Sequence, residues 1–327
     1  MKTSDIDQQI ESAISAVMKV NGLKDIYFVA CGGSLALMMP NKYLIDRESK
    51  TLSSEVYNSA EFVQRAPARL GSDSLVVVSS MGGTTPETVE AAEFARKHGA
   101  LTVGLTTDPS SPMGQAVDYC IEYELSPSQA NDKAAACVFL KLLFRLLAEK
   151  EGNEKYQQVA TGVSKITSVV DSVVASHADR IRDFGQQYKR ESVIYTMASG
   201  SNYGPAYSFA ICILMEMQWI HSNAIHAGEY FHGPFEITDF DTPIITLLGL
   251  DATRPQEERA LAFSRKFSDR NIVLDAKEFD LSSLPEVSHE YVTQIIFGYL
   301  LRAYANRLAE DKGHPLTVRR YMWKMDY

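Results

Sequence analysis

Ser74-Leu75-Val76-Val77-Val78-Ser79, running into Ser80-Met81-Gly82-Gly83-Thr84-Thr85-Pro86, decides how this chain folds. An unbroken aliphatic run between serines reads as a strand covered on both faces. The glycine pair marks a tight turn, and Pro86 suits the first position of a helix with Thr85 as N-cap. That helix is expected to run to about His98-Gly99. The same order occurs earlier: Ile26-Tyr27-Phe28-Val29-Ala30 leads into Cys31-Gly32-Gly33-Ser34 and a helix over roughly Leu35–Asp46. Leu101–Thr106 and about Tyr119–Tyr123 add two more strands. Strands alternating with helices predict a parallel α/β sheet, and such sheets bind ligands beyond the C-terminal ends of their strands. Both hydroxyl-rich loops fall there. Their backbone N–H groups and hydroxyls favour an anion over ordinary turn and capping chemistry. Neither loop carries a Lys-Ser/Thr after its glycines or a G-x-G-x-x-G spacing, so a sugar phosphate fits better than ATP or NAD.

The pattern returns further along. Ile194-Tyr195-Thr196-Met197-Ala198-Ser199-Gly200-Ser201 echoes Ile26–Gly33 and again precedes a helix, over about Tyr203–Ile220, which points to an internal duplication. Strands are expected over Pro243–Leu250 and Asn271–Ala276, with helices near Pro255–Phe267 and Tyr291–Leu308. The domain reading is an N-terminal helix (1–22), a first α/β domain (23–150), a helical connector (151–190), a second α/β domain (191–310) and a tail (311–327). The loop Asp251-Ala252-Thr253-Arg254 lacks the Ser/Thr/Gly richness of the first half.

A chain of 327 residues is comfortable for two domains. Its formal net charge of −9 argues against non-specific binding to nucleic acid or to an anionic membrane. The four cysteines (Cys31, Cys120, Cys137, Cys212) have no paired spacing and lie in or beside apolar runs, which suits buried thiols in a reducing compartment. The first residues are polar and start no apolar signal region, and no stretch is long enough to span a bilayer. A cytoplasmic protein is expected.

Candidate chemistry is concentrated between Met215 and Ile237. Glu216 ends an apolar helical run, and His226, Glu229, His232 and Glu236 follow in a segment punctuated by Gly228, Gly233 and Pro234. A carboxylate in apolar surroundings is costly unless something needs it. A carboxylate and an imidazole in one pocket can move protons on and off a carbon beside a carbonyl. Against this, Glu216 also fits a structural ion pair, Glu229 a turn cap and His226 a satisfied core histidine. The histidine spacings match no zinc motif, so no metal is expected. Arg320 and Lys324 alternate with Tyr321 and Trp323, as in a tail that packs down.

The two glycine loops, the Met215–Glu236 segment and the tail Arg319-Arg320-Tyr321-Met322-Trp323-Lys324 together resemble the SIS (sugar isomerase) domain family, most closely its bacterial fructosamine (fructoselysine or fructose-amino acid) 6-phosphate deglycases. The resemblance implies two tandem SIS domains, each a parallel sheet flanked by helices. It implies that Ser34, Ser80 and Thr85 bind the phosphate, with Gly33, Gly82 and Thr84 beside them. Glu216 would be the general base and His232 the general acid and ring opener, with Lys324 and Glu229 in lesser roles. It further implies a phosphorylated sugar–amine substrate, no cofactor, and a homodimer or larger assembly in which His232 reaches the neighbouring subunit's site. One departure stands out: the common loop reads Ser-x-Ser-Gly-x-Thr, and Gly82 occupies the second serine position. Rival readings are an aldose–ketose isomerase, a glucosamine-6-phosphate deaminase-like enzyme and a non-catalytic sugar-phosphate sensor. The missing glutaminase half disfavours a synthase, and the missing basic helix-turn-helix disfavours a regulator.

Overall fold

The computed structural model describes residues 5–326. The chain divides into two compact units, the first holding residues up to Ser126 together with Asn131–Ser164, the second Pro127–Ala130 and the chain from Lys165 onward. In the first unit the elements are α1 (Ile6–Val17), β1 (Asp25–Ala30), α2 (Gly32–Glu48), β2 (Ser53–Asn58), α3 (Ser59–Arg65), β3 (Ser74–Ser79), α4 (Pro86–Lys97), β4 (Leu101–Thr106), α5 (Pro112–Ala116), β5 (Tyr119–Glu122), α6 (Ala135–Glu151) and α7 (Tyr156–Ser164). All five strands are parallel, in the order β2-β1-β3-β4-β5. Every residue of β1 and β3 is buried, as their mainly apolar sequences lead one to expect. Helix α4 packs against α3 and α5, and α6 against α1 and α2. Phe62, Val76, Val78, Ala91, Ala92 and Met113 belong to one continuous core cluster.

Two features differ from the sequence expectation. Strand β2 and helix α3 were not anticipated, because Ser53-Ser54-Glu55-Val56-Tyr57-Asn58 carries little apolar character. It is an edge strand, paired only with β1, and so needs no second covered face. Asn58 then caps α3, its side-chain oxygen accepting from the N–H groups of Ala60 and Glu61 at 3.0 and 3.3 Å. Helix α2 also starts at Gly32, so the glycine turn is itself the first turn of the helix.

The second unit contains α8 (Ile166–Ser176), α9 (Ala178–Tyr188), β6 (Tyr195–Ala198), α10 (Tyr203–Ser208), α11 (Glu216–Gln218), β7 (Ala224–His226), β8 (Ile244–Leu248), α12 (Arg254–Phe267), β9 (Asn271–Asp275) and α13 (His289–Lys312). Its sheet is parallel, in the order β7-β6-β8-β9. Both sheets therefore share one plan: the first strand is central, the second lies on one side and the third crosses to the other. That reversal opens a crevice between the first and third strands. The single helix expected over Tyr203–Ile220 is instead α10, a π-helical stretch Phe209–Met215, and the short α11, ended by Trp219 in the left-handed region at φ 57°. Single π turns inside helices often accompany functional sites, because the wider turn re-aims the residues that follow. Glu216 is the first residue after it.

Candidate active site

In the first unit the crevice falls between β1 and β3, whose last residues, Ala30 and Ser79, are paired. The loops that follow thus leave side by side. On one, Gly32, Gly33 and Ser34 form the first turn of α2, where backbone N–H groups have no partner within the helix. Gly32 takes φ +54°, with no atom near the position a Cβ would occupy. Gly33 is exposed and Ser34 half-buried.

On the other loop, Ser80 is buried and its Oγ lies 3.0 Å from Thr85 Oγ1. Thr85 does occupy the N-cap of α4, but its hydroxyl turns to Ser80 and makes no side-chain capping bond. The loop backbone is pinned from behind. Met81 C=O accepts from the Thr107 N–H at 2.9 Å and from the hydroxyls of Thr106 and Thr107 at 3.0 and 2.9 Å. Gly83 takes φ +64°, and a Cβ there would stand 1.8 Å from Ser111 Oγ. Only glycine satisfies both demands. Gly82 is different: its nearest atom would be Thr84 Oγ1 at 3.8 Å, so the missing serine at this position is not a steric necessity. Thr84 is exposed. Thr88, buried beneath the loop, pairs with Ser59 Oγ at 3.0 Å and plays a structural part.

In the second unit the Glu216 side chain is 25% exposed and lies 2.7 Å (Oε1) from Nη2 of Arg319. The carboxylate is thus partly exposed and ion-paired, where the sequence suggested apolar surroundings: the helix ends at the surface and the tail supplies a cation. His232 ends a 3-10 turn, Tyr230–His232, and is exposed. Its N–H donates to Glu229 C=O at 2.9 Å, and Gly233 follows at φ 142°. The turn is anchored by Tyr230, fully buried, whose hydroxyl pairs with Thr238 Oγ1 at 2.6 Å. Tyr230, Phe231, Phe235 and Phe263 form an aromatic cluster that holds the segment while His232 faces out. No hydrogen bond or ion pair within this chain joins Glu216 to His232. Glu229 and Lys324 are both exposed, and Glu229 makes no side-chain cap to the turn it begins. His226 accepts from the Gly228 N–H through Nδ1 at 3.2 Å and packs edge-on against Tyr203, a structural role. Among the described residues no cluster of His, Cys, Asp or Glu could hold a metal ion.

The second unit's own crevice, between β6 and β8, is filled by carboxylates. Glu257 is fully buried and accepts from the Gly249 N–H at 2.7 Å and from Ser199 N–H and Oγ at 3.0 and 2.9 Å. Asp251 accepts from Ser201 Oγ at 2.9 Å and from the Thr253 N–H at 2.8 Å. Burial pushes the Glu257 carboxyl up to about 7, against the opposing pull of its donors. The second crevice is thus closed by Asp251 from the loop itself and Glu257 from α12. All four cysteines are free; Cys137 and Cys212 are buried, while Cys31 and Cys120 are half-buried, less than their apolar neighbours suggested. No helix among the described residues is long and apolar enough to cross a membrane.

These features define a doubly wound α/β protein built twice over, with an open hydroxyl-lined switch point in its first unit and a Glu–Arg pair in its second. The SIS domain profile matches residues 21–148. Fructosamine deglycase FrlB of Bacillus subtilis (strain 168) is 46% identical over 325 residues, 99% of each chain. Fructoselysine 6-phosphate deglycase of Escherichia coli (strain K12) is 31% identical over 316 residues, covering 96% of this chain and 90% of that one. A solved Bacillus subtilis structure that carries the name phosphosugar isomerase superposes with a TM-score of 0.95 at 46% identity, covering 98% of this chain and 97% of its own. The chain belongs to the SIS-domain family, in its fructosamine deglycase branch.

Proposed function

We infer that the protein hydrolyses a fructosamine 6-phosphate, such as fructoselysine 6-phosphate, to glucose 6-phosphate and the free amine. What carries this reading is the 46% identity to a fructosamine deglycase across essentially the whole of both chains. Glu216 and His232 both lie within that span, and a carboxylate and an imidazole available for proton transfer favour an enzyme over a sugar-phosphate sensor.

The chemistry follows from the substrate. In open-chain form it bears an amine on C1 and a ketone at C2, so the C1 protons are acidified by the neighbouring carbonyl. Glu216 removes one of them, giving an enaminol. Reprotonation at C2 yields an imine at C1, water adds to it, and the C1–N bond breaks to release the amine. His232 protonates the ring oxygen to open the sugar and later assists proton movement. The substrate's own carbonyl–amine system delocalises the charge, so the steps need no cofactor. Ser34, Ser80 and Thr85 hold the phosphate, aided by the backbone at Gly33, Gly82 and Thr84. Lys324 and Glu229, both exposed, are assigned secondary roles. His232 also lies exposed on a pinned turn, which suits action in the site of a second subunit within a homodimer. The reaction is placed in the cytoplasm, where the four thiols stay reduced.

A coupled glucose-6-phosphate assay on synthetic fructosamine 6-phosphates tests this function. Release of glucose 6-phosphate is expected. Interconversion of aldose and ketose phosphates without amine release would instead identify an isomerase, and binding without turnover a sensor.

A further inference from the structure

We propose that Arg319 is the positioning residue of the Glu216 base, so that the segment after α13 completes the proton-transfer site. The proposal rests on the assignment of Glu216 as base. Its geometry is specific. Arg319 is 7% exposed, Nη2 stands 2.7 Å from Glu216 Oε1, and no other described side chain pairs with that carboxylate. The guanidinium is itself held from two sides: Nη1 donates to Leu316 C=O at 2.8 Å and Val318 C=O at 2.9 Å, and Trp323 lies 5.3 Å from its centre. An arginine this constrained fixes its partner's rotamer and does not simply follow it.

The residues after Glu216 are stitched to the same segment. Gln218, fully buried, donates through Nε2 to His314 C=O at 2.8 Å, and Lys312 Nζ returns a bond to Gln218 C=O at 2.7 Å. Trp219 packs on His314, with Arg320 4.3 Å over its ring. A left-handed tryptophan costs about 1–2 kcal/mol, and these contacts hold it there. The π turn before Glu216 aims the carboxylate, and the tail arginine stops it from rotating away. Pairing at one oxygen with a partly exposed carboxylate leaves the base able to reach a substrate proton.

The test compares Arg319→Gln, Arg319→Lys and Glu216→Gln in the full chain, using substrate protonated or deuterated at C1. For Arg319→Gln, kcat is expected to fall roughly 10–100-fold with KM within about threefold, and the C1 isotope effect on kcat to rise as proton abstraction slows. Arg319→Lys, which keeps a charge within reach, is expected to recover part of the rate and to lower the isotope effect again. An Arg319→Gln enzyme with unchanged kcat, or one losing activity only in proportion to its folded fraction with the isotope effect unaltered, overturns the positioning role while leaving the base assignment intact. If Arg319→Gln does not fold, Arg319→Lys decides alone: wild-type kcat and isotope effect together overturn the proposal, since a point charge cannot reproduce the fixed fork. Full turnover by Glu216→Gln overturns both the base and its positioning.

Discussion

Ser80 Oγ and Thr85 Oγ1 lie 3.0 Å apart across the turn that joins β3 to α4, and neither is engaged in capping that helix. Two hydroxyls that satisfy each other, at the open end of a parallel sheet, can both turn to an incoming phosphate without breaking the fold.

Removing either hydroxyl should therefore weaken substrate binding more than stability. A hydrogen bond to a charged group contributes about 1.5–3 kcal/mol, so Ser80→Ala or Thr85→Ala should raise KM roughly 10–100-fold with kcat little changed. Steady-state kinetics on the 6-phosphorylated substrate, with thermal unfolding alongside, checks this; a fall in kcat at constant KM would contradict the phosphate role.

Neighbouring glycines should behave in opposite ways. Gly83→Ala places a Cβ 1.8 Å from Ser111 Oγ at a positive φ, and should destabilise the protein by roughly 2–4 kcal/mol. At Gly82 an added Cβ meets nothing closer than 3.8 Å and φ is not positive, so the stability of Gly82→Ser should stay within about 0.5 kcal/mol of the parent. The added hydroxyl restores a donor beside Ser80, and KM should drop. Denaturant titration of the two variants separates the effects, and an equal loss of stability in both would show that the loop geometry is misread.

The buried Glu257 gives a pH signature. Its carboxyl is raised from 4.5 to about 7 on folding. The folded state then holds a proton that the unfolded chain releases, so stability is full below about pH 4.5 and is lost as pH rises through 7. The span is on the order of 3 kcal/mol. Glu257→Gln should flatten the slope of stability between pH 5 and pH 7.5, measured by urea unfolding. A slope unaltered in the variant would place the titrating group elsewhere.

His232 should matter to turnover and not to folding, because it is exposed beyond an anchor formed by Tyr230 and Thr238. His232→Asn should lower kcat by at least about 100-fold with unchanged unfolding. Mixing it with Glu216→Gln subunits offers a sharper check: if the histidine serves the partner's site, mixed dimers recover activity that neither variant has alone. Mixing without recovery would place both residues in one subunit's site.

Much of the fold is legible because β1 and β3 are short, almost wholly apolar runs followed by glycine turns, the pattern of a strand covered on both faces and leading into a helix. Strand β2 was hidden because an edge strand needs little apolar sequence, and Ser53–Asn58 offers little. The π turn was hidden for another reason: Phe209-Ala210-Ile211-Cys212-Ile213-Leu214 is apolar enough to be buried in either helical form, and periodicity does not separate them. Glu216 and His232 could be singled out from their setting, whereas the cation that pairs with Glu216 could not. Arg319 is remote in sequence, and nothing in the tail's pattern distinguishes it from Arg320 and Lys324, which are exposed. The alternation of arginine with aromatic residues in the tail was the available signal, and it indicated packing without naming the partner. In the sequence Glu257 reads as one more acidic residue on an amphipathic helix, since only the fold brings it under Ser199 and Gly249.

Turnover of a fructosamine 6-phosphate by Glu216→Gln, run in D2O beside the parent protein, bears most directly on the chemistry. The parent should release glucose 6-phosphate carrying deuterium at C2, and the variant should be slower by at least about a hundredfold at similar KM. Near-parental turnover by Glu216→Gln would contradict proton abstraction by this carboxylate; parent product without deuterium at C2 would instead show that the C1 proton is handed to C2 before it exchanges with solvent.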